Sequence, residues 1–148
     1  MEFLFSTLQS PIPKVGCDDV KYAVTNPHKC ILINTLPVTE QSILIKTTIP
    51  YDTEESRINE LLKNYDTATY NIIVYGKNAA DNSVEKKYRQ LKQLGFSHVY
   101  VYSGGLFEWV LLQELYDVTH FSTTAPPSNN LLGYSPRPFF DKETNYQP

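Results

Sequence analysis

The sequence predicts an α/β fold with a mainly parallel sheet of four or five strands. Short apolar runs of strand length recur along the chain, and segments with helical spacing of apolar residues separate them. Strands that alternate with helices form parallel βαβ units. No internal repeat is visible, and 148 residues are enough for one domain with a packed core.

Four segments carry the pattern of strands. Residues 30–33 form a continuous apolar run, which is typical of a strand buried on both faces. Residues 71–75 are the clearest strand in the chain, and residues 98–102 are a third. We expect a fourth, short strand near the end of residues 43–49, because this stretch ends in β-branched residues before a proline.

Helices are predicted between the strands, at residues 17–26, from Asp52 onward, at 83–94 and at 106–116. Asp52 has the character of an N-cap, and Glu55 follows it three positions later. Gly95 is expected to end the third helix, because glycine adopts the left-handed conformation that helix ends favour.

The composition excludes several classes of protein. The hydrophobic fraction of 41% and the charged fraction of 20% are those of globular domains. No apolar run approaches the roughly 18 residues that a membrane span needs. The net charge of −3 argues against a nucleic-acid-binding protein that relies on a basic surface. Residues 1–11 include Glu2 and no cation, so we expect no secretory or transit peptide.

The cysteines and histidines indicate neither a disulfide framework nor a metal site. Cys17 and Cys30 are too few for either, and no glycosylation sequon occurs, so we expect a reducing, cytoplasmic location. Cys30 has the character of a buried apolar residue, and the carboxylates that follow Cys17 would raise its pKa. The three histidines are far apart in the sequence, and we predict no metal and no cofactor.

The last predicted helix is apolar almost all round. Between residues 106 and 116 only Glu108, Gln113 and Glu114 are polar, and Trp109 is expected in the core. A helix with one face open to water carries more polar residues, so a second layer should cover this one. That layer is either the following segment, folded back on its own domain, or a partner protein.

Residues 122–148 differ from the rest of the chain. They contain five prolines, which forbid a long helix or a central strand, and too many aromatic and aliphatic residues for an inert linker. We interpret them as an extended, Pro- and aromatic-rich tail that lies against its own domain or against a partner.

Three segments together resemble a rhodanese-like domain. Residues 31–35 correspond to the strand that ends in an acidic residue in such domains, and residues 72–76 correspond to the strand before the active-site loop. Residues 94–109 are similar to the family's last strand, double glycine and final helix, here with Gly104, Gly105 and Trp109. The chain most resembles short rhodanese-like proteins of protists and large DNA viruses that lack the active-site cysteine.

The resemblance implies a rhodanese-like α/β sandwich over residues 13–121, followed by the tail at 122–148. It also implies a degenerate active-site loop, made of Gly76, Lys77, Asn78, Ala79, Ala80, Asp81, Asn82 and Ser83. In the family a cysteine at the first loop position carries sulfur, and related phosphatases use an arginine at the loop's end to hold phosphate. Here the first position is Gly76, and Asp81 or Asn82 takes the arginine position. Asn34 replaces the usual aspartate.

We therefore expect no enzymatic activity and interpret the chain as an inactive module of a larger protein assembly. The resemblance suggests cytoskeletal or ciliary assemblies as examples. The candidate contacts with protein partners are Tyr134, Pro136, Arg137, Pro138, Phe139 and Phe140. Two alternatives remain open: a sulfurtransferase- or phosphatase-related enzyme, and a sensor that binds a small anion, both at the altered loop.

Overall fold

Four parallel strands form a single sheet in the computed structural model, which describes residues 10–126 and 130–140. The strands are β1 (Lys14–Val15), β2 (Cys30–Asn34), β3 (Asn71–Tyr75) and β4 (Val99–Tyr102). Their order across the sheet is β1-β4-β3-β2. β2 and β3 pair in register over five residues, from Cys30 opposite Asn71 to Asn34 opposite Tyr75. The predicted α/β class and parallel sheet are confirmed.

Two helices cover each face of the sheet. They are α1 (Cys17–Thr25), α2 (Tyr51–Lys63), α3 (Ser83–Gln93) and α4 (Gly105–Leu115). Alternate side chains of each strand point to opposite faces, so the sheet has two hydrophobic cores. One core lies under α1 and α4 and contains Leu32, Ile73 and Trp109. The other lies under α2 and α3 and contains Ile33 and Val74.

The helix ends confirm one prediction made from the sequence and contradict another. Gly95 follows α3 with a φ of +105°, as predicted for a terminating glycine. The prediction that Asp52 caps α2 is wrong, because the helix begins at Tyr51 directly after Pro50. Proline has a φ close to the helical value and no N–H that needs a partner, so the helix can begin beside it. Asp52 lies in the first turn.

The predicted strand within residues 43–49 is also wrong. Ile45 and Thr48 each form only an isolated bridge, to Thr123 and to Leu32. The chain turns between them: the Thr48 amide and hydroxyl both donate to the Ile45 carbonyl, at 3.1 and 2.6 Å, and Thr47 has a φ of +70°. The hydroxyl thus stabilises a turn in place of an extended segment. The short edge strand β1 was not predicted.

The chain after α4 packs back on the first core. The Trp109 indole donates to the Ser122 carbonyl at 2.9 Å, and the Trp109 ring packs edge-on against Phe121. The 3₁₀ helix Leu131–Tyr134 packs against α4, and both of its end residues contact the core. The predicted tail is described only over 122–126 and 130–140. Its remaining residues, and the first nine of the chain, lie outside the described part.

Two buried tyrosines sit side by side at the ends of β3 and β4. Tyr75 and Tyr102 are partners in the sheet, and both are at most 1% exposed. The Tyr75 hydroxyl lies 2.7 Å from the Thr48 hydroxyl and accepts from the Ile45 amide at 3.1 Å. The Tyr102 hydroxyl has no hydrogen-bond partner among the described residues. Burial raises the pKa of both phenols, and the Glu108 carboxylate also raises that of Tyr102.

We predict opposite outcomes for the two Tyr→Phe substitutions. Tyr75→Phe should lower the free energy of unfolding by about 1–3 kcal/mol, because it leaves the buried Ile45 amide without its acceptor. Tyr102→Phe should be neutral or stabilising, because it removes a buried hydroxyl that makes no hydrogen bond. Urea denaturation of both variants measures this difference, and equal losses would contradict it.

Candidate functional site

The candidate loop, residues 76–83, connects β3 to α3 at the carboxyl edge of the sheet. β2 ends beside it, and the Thr35 amide donates to the Tyr75 carbonyl at 3.0 Å. Open parallel sheets bind ligands at this edge, because loops from neighbouring strands meet there. The fold thus brings the loop together with the residues that follow Asn34.

The centre of the loop is filled by the carboxylate of Asp81. Its Oδ2 accepts from the Lys77 amide at 3.1 Å and from the Thr35 hydroxyl at 3.4 Å. Its Oδ1 accepts from the amide of Ser83 at 3.0 Å and from the Ser83 hydroxyl. Backbone amides at a helix N-terminus form an anion-binding arrangement. In this loop the anion is a side chain of the chain itself.

The charged state of Asp81 is stabilised by these contacts. Partial burial alone would raise the pKa of the Asp81 carboxyl. The hydrogen bonds from Ser83, Lys77 and Thr35 outweigh burial and hold the pKa below its usual range. Asp81 is therefore a weak base, which disfavours it as the group that would activate Ser83 for nucleophilic attack.

Gly76 has no room for a side chain. A Cβ atom on Gly76 would contact Asp81 Oδ2 and lie 2.6 Å from Val84 Cγ2. The backbone of Gly76 also lies close to the start of α4. Gly105 has a φ of +65°, and a Cβ there would lie 2.5 Å from the Gly76 carbonyl oxygen. Because the two backbones are this close, the Leu106 amide at the start of α4 donates to the Gly76 carbonyl at 2.9 Å.

Two further contacts cover the outside of the loop. Lys77 Nζ forms an ion pair with Glu40 Oε1 at 2.8 Å. The Asn78 side chain, which is 9% exposed, donates to the Tyr134 carbonyl at 2.9 Å and accepts from the Ala80 amide at 3.0 Å. The segment after α4 is therefore attached to the loop as well as to the core.

Comparison with known proteins identifies the family. A profile described as the rhodanese-like domain matches residues 38–112, which are 75 of the 148 residues. The chain belongs to the rhodanese-like domain family. A search of curated protein sequences gave no significant match.

Solved structures share the rhodanese-like fold. The BH2092 protein from Bacillus halodurans is similar with a TM-score of 0.56 and 20% identity, over 76% of this chain and 81% of that one. A protein from Lactobacillus plantarum is similar with a TM-score of 0.54 and 23% identity, over 76% of this chain and 91% of that one. An uncharacterized protein from Saccharomyces cerevisiae is similar with a TM-score of 0.51 and 19% identity, over 71% of this chain and 96% of that one. At these identities the similarity shows the fold alone.

The cysteines of this rhodanese-like domain are poorly suited to nucleophilic chemistry. Cys30 is 7% exposed in the core under α1 and α4, and burial raises the pKa of its thiol. Burial, followed by the charges of Asp18 and Glu108, raises the pKa of Cys17. Cys17 begins α1 and Cys30 begins β2, so both lie outside the loop.

The structure places the predicted loop between β3 and α3, and several residues that the sequence did not single out shape it. Thr35 and Glu40 reach the loop from the segment after β2, and Gly105 approaches it from α4. Asn34, which replaces an acidic residue of the family pattern, is 4% exposed and accepts from the Leu36 amide at 3.0 Å. The double glycine was the one signal in the sequence for a close backbone approach.

The structure divides the predicted partner-contact residues into two groups. Tyr134 is partly buried against the core, and Pro138 is half-buried. Pro136 and Arg137 are both exposed. The rings of Phe139 and Phe140 are 84% and 104% exposed. Among the described residues no group of three or more His, Cys, Asp or Glu side chains could hold a metal ion, and no helix is long and apolar enough to cross a membrane.

We predict that any side chain at Gly76 is destabilising. Gly76→Ala should lower the free energy of unfolding by about 1–3 kcal/mol, because the methyl group would overlap Asp81 and Val84. Gly16→Ala is the matched control, since a Cβ on Gly16 has no atom within 4 Å.

The same clash should appear as coupling in a double-mutant cycle. Gly76→Ala should lower the free energy of unfolding by a smaller amount when Asp81 is already alanine. The overlap with the Asp81 carboxylate is then gone, and only the overlap with Val84 remains. Additive effects of the two substitutions, measured by urea denaturation, would show that Gly76 and Asp81 do not compete for space.

The Asp81 carboxylate should also make stability depend on pH. Its pKa is lowered in the folded protein, so its contribution is present above the unfolded value of about 3.9 and is lost as pH falls through the folded value. Asp81→Asn should therefore destabilise the protein near pH 7, and the difference from the wild type should shrink on acidification below about pH 4. The exposed Asp52→Asn is the control. A pH-independent difference for Asp81→Asn would contradict the assignment.

Proposed function

We propose that the chain is a catalytically inactive rhodanese-like module that binds protein partners as a structural component of a larger assembly. The proposed lack of catalysis rests on one observation, the position of the Asp81 carboxylate at the centre of the loop. The carboxylate accepts hydrogen bonds from the Lys77 and Ser83 amides, which are the donors that an incoming anion would need. The resemblance places the family's nucleophile at Gly76, where no side chain fits.

The alternatives need a loop that is open to solutes. A sulfurtransferase, a phosphatase or an anion sensor would each have to bind an anion at donors that Asp81 already occupies. Two like charges at one site repel each other, and the single cation of the loop, Lys77, is paired with Glu40. These observations favour the inactive module.

Binding and turnover of small anions test this part of the proposal. The wild-type protein should neither bind thiosulfate or phosphate in calorimetric titrations nor transfer sulfur from thiosulfate to cyanide. Asp81→Ala should gain weak phosphate binding, because it frees the Lys77 and Ser83 amides. Saturable binding or turnover by the wild-type protein that is lost in Ser83→Ala would support the alternatives.

The protein-binding role rests on the exposed segment after the 3₁₀ helix. Residues 136–140, named here the contact strip, read Pro-Arg-Pro-Phe-Phe. Prolines favour an extended backbone with a low entropy cost of binding, and aromatic side chains, phenylalanine included, are enriched in protein interfaces. Fully exposed neighbouring phenylalanines are rare on proteins that act alone. The cytoplasmic location and the cytoskeletal or ciliary setting remain part of this proposal.

Affinity capture from the native source tests the role of the contact strip. The bait with Phe139→Ser and Phe140→Ser should lose partners that the wild-type bait recovers, while folding unchanged because both rings are exposed. Tyr65→Ser is the matched control, because Tyr65 is an aromatic residue that is 91% exposed outside the strip. Identical partners for wild-type and strip-variant baits would refute the role of the strip.

A further inference from the structure

A groove runs between α2 and α3 on the face of the sheet opposite to α4. One part of it, of about 430 Å³, is lined by Ile58, Leu91 and Leu94 together with Glu55. A second part, of about 360 Å³, extends toward the carboxyl edge of the sheet, where Thr35 and Ser83 line it. Both parts share four lining residues, so they lie next to each other along the groove. The shared residues are Tyr51, Glu54, Lys87 and Gln90.

The part of the groove lined by Leu94 combines an apolar floor with a net negative charge, because Glu54, Glu55 and Lys87 line it. A second lysine, Lys86, lines only the other part. Ile58 and Leu91 are buried beneath the groove, while Tyr51 and Leu94 are 55% and 44% exposed along its sides. Glu54 is paired with Lys87 at 2.8 Å. Glu55 is exposed and has no ion-pair partner among the described residues. A peptide with aromatic side chains and a cation fits this chemistry.

The contact strip has that chemistry. Its two phenylalanine rings are the most exposed large apolar groups at this end of the chain. Arg137 is exposed and, like Glu55, makes no ion pair with any described residue. The two prolines restrict the backbone to the extended form in which a peptide lies along a groove. Charge and apolar surface are thus complementary between the strip and the groove.

Within one chain the strip and the groove are apart. The 3₁₀ helix that precedes the strip packs on the α1 and α4 face, whereas the groove lies on the α2 and α3 face. Phe139 and Phe140 are 84% and 104% exposed, so the groove of the same chain does not hold them. A groove and a ligand segment on one molecule that do not meet can pair between two copies.

We propose that the contact strip of one copy binds in the α2–α3 groove of a second copy. Reciprocal exchange gives a closed two-fold dimer with two identical strip–groove contacts. Phe139 and Phe140 pack on Leu94 and Tyr51, and Arg137 pairs with Glu55. This inference rests on the proposed role of the strip in protein binding and names a second copy of the chain as its partner.

Analytical ultracentrifugation of the full chain over a range of concentrations tests the dimer. The wild-type protein should sediment as a concentration-dependent dimer. Phe139→Ser with Phe140→Ser should raise the dissociation constant at least about tenfold, and so should Leu94→Glu on the groove side. A monomer at all concentrations, or a dimer that neither variant weakens, would overturn the inference. Circular dichroism establishes that each variant is folded.

A charge exchange identifies the contact. Arg137→Glu and Glu55→Arg should each weaken the dimer, and the double variant should restore it, because the ion pair is rebuilt with reversed signs. Glu114→Arg, an exposed charge reversal on α4, is the control. Failure of the rescue would overturn the pairing of strip and groove. A monomeric protein whose strip still captures other proteins would refute the dimer and leave the proposed function intact.

Discussion

The Asp81 carboxylate joins the two ends of its own loop to the segment that follows β2. It accepts hydrogen bonds from Thr35 after β2, from Lys77 at the start of the loop and from Ser83 at the start of α3. Buried backbone amides need an acceptor, and a charged acceptor makes stronger hydrogen bonds than a neutral one. These contacts hold the loop in place at the start of α3, although half of its eight residues are exposed.

The loop in turn positions α4. The Gly76 and Lys77 carbonyls accept from the Leu106 and Phe107 amides, which are among the donors that a helix start leaves without partners. This contact needs the two backbones to approach closely, and Gly105 allows it. Once α4 is placed, its indole and amide side chains hold the following segment: Trp109 donates to the Ser122 carbonyl, and Gln113 donates to the Phe121 carbonyl at 2.6 Å. Hydrogen bonds thus link the loop to the start of α4, and α4 to the segment that follows it.

This arrangement supports the proposed role of the chain as a scaffold. Fold does not imply function, and the site decides. In this chain the donors of the site are used for stability. Exposed apolar groups lie elsewhere, and those of the contact strip and of the α2–α3 groove are among them. A rigid domain with a satisfied loop can present both surfaces without rearranging.

The sequence by itself determined the class of fold and the location of the loop. The apolar runs at β2, β3 and β4 can be buried on both faces only in a parallel sheet covered by helices, so periodicity was enough to predict them. It failed where local patterns compete with tertiary contacts. Residues 43–49 have strand-like composition, but the hydroxyl of Thr48 closes a turn and also bonds to Tyr75. The two-residue strand β1 is too short to leave a pattern.

Only the tertiary structure decided which groups the backbone amides of the loop bind. The resemblance predicted that Gly76, and Asp81 or Asn82, take the positions of the family's functional residues, and it left open an anion site formed by backbone amides. Whether those amides are free depends on where the Asp81 side chain points, and that depends on Thr35, Val84 and α4, which come from three different segments. Sequence spacing fixes which residues are neighbours along a strand or helix, whereas competition for one small volume is settled only when the segments pack.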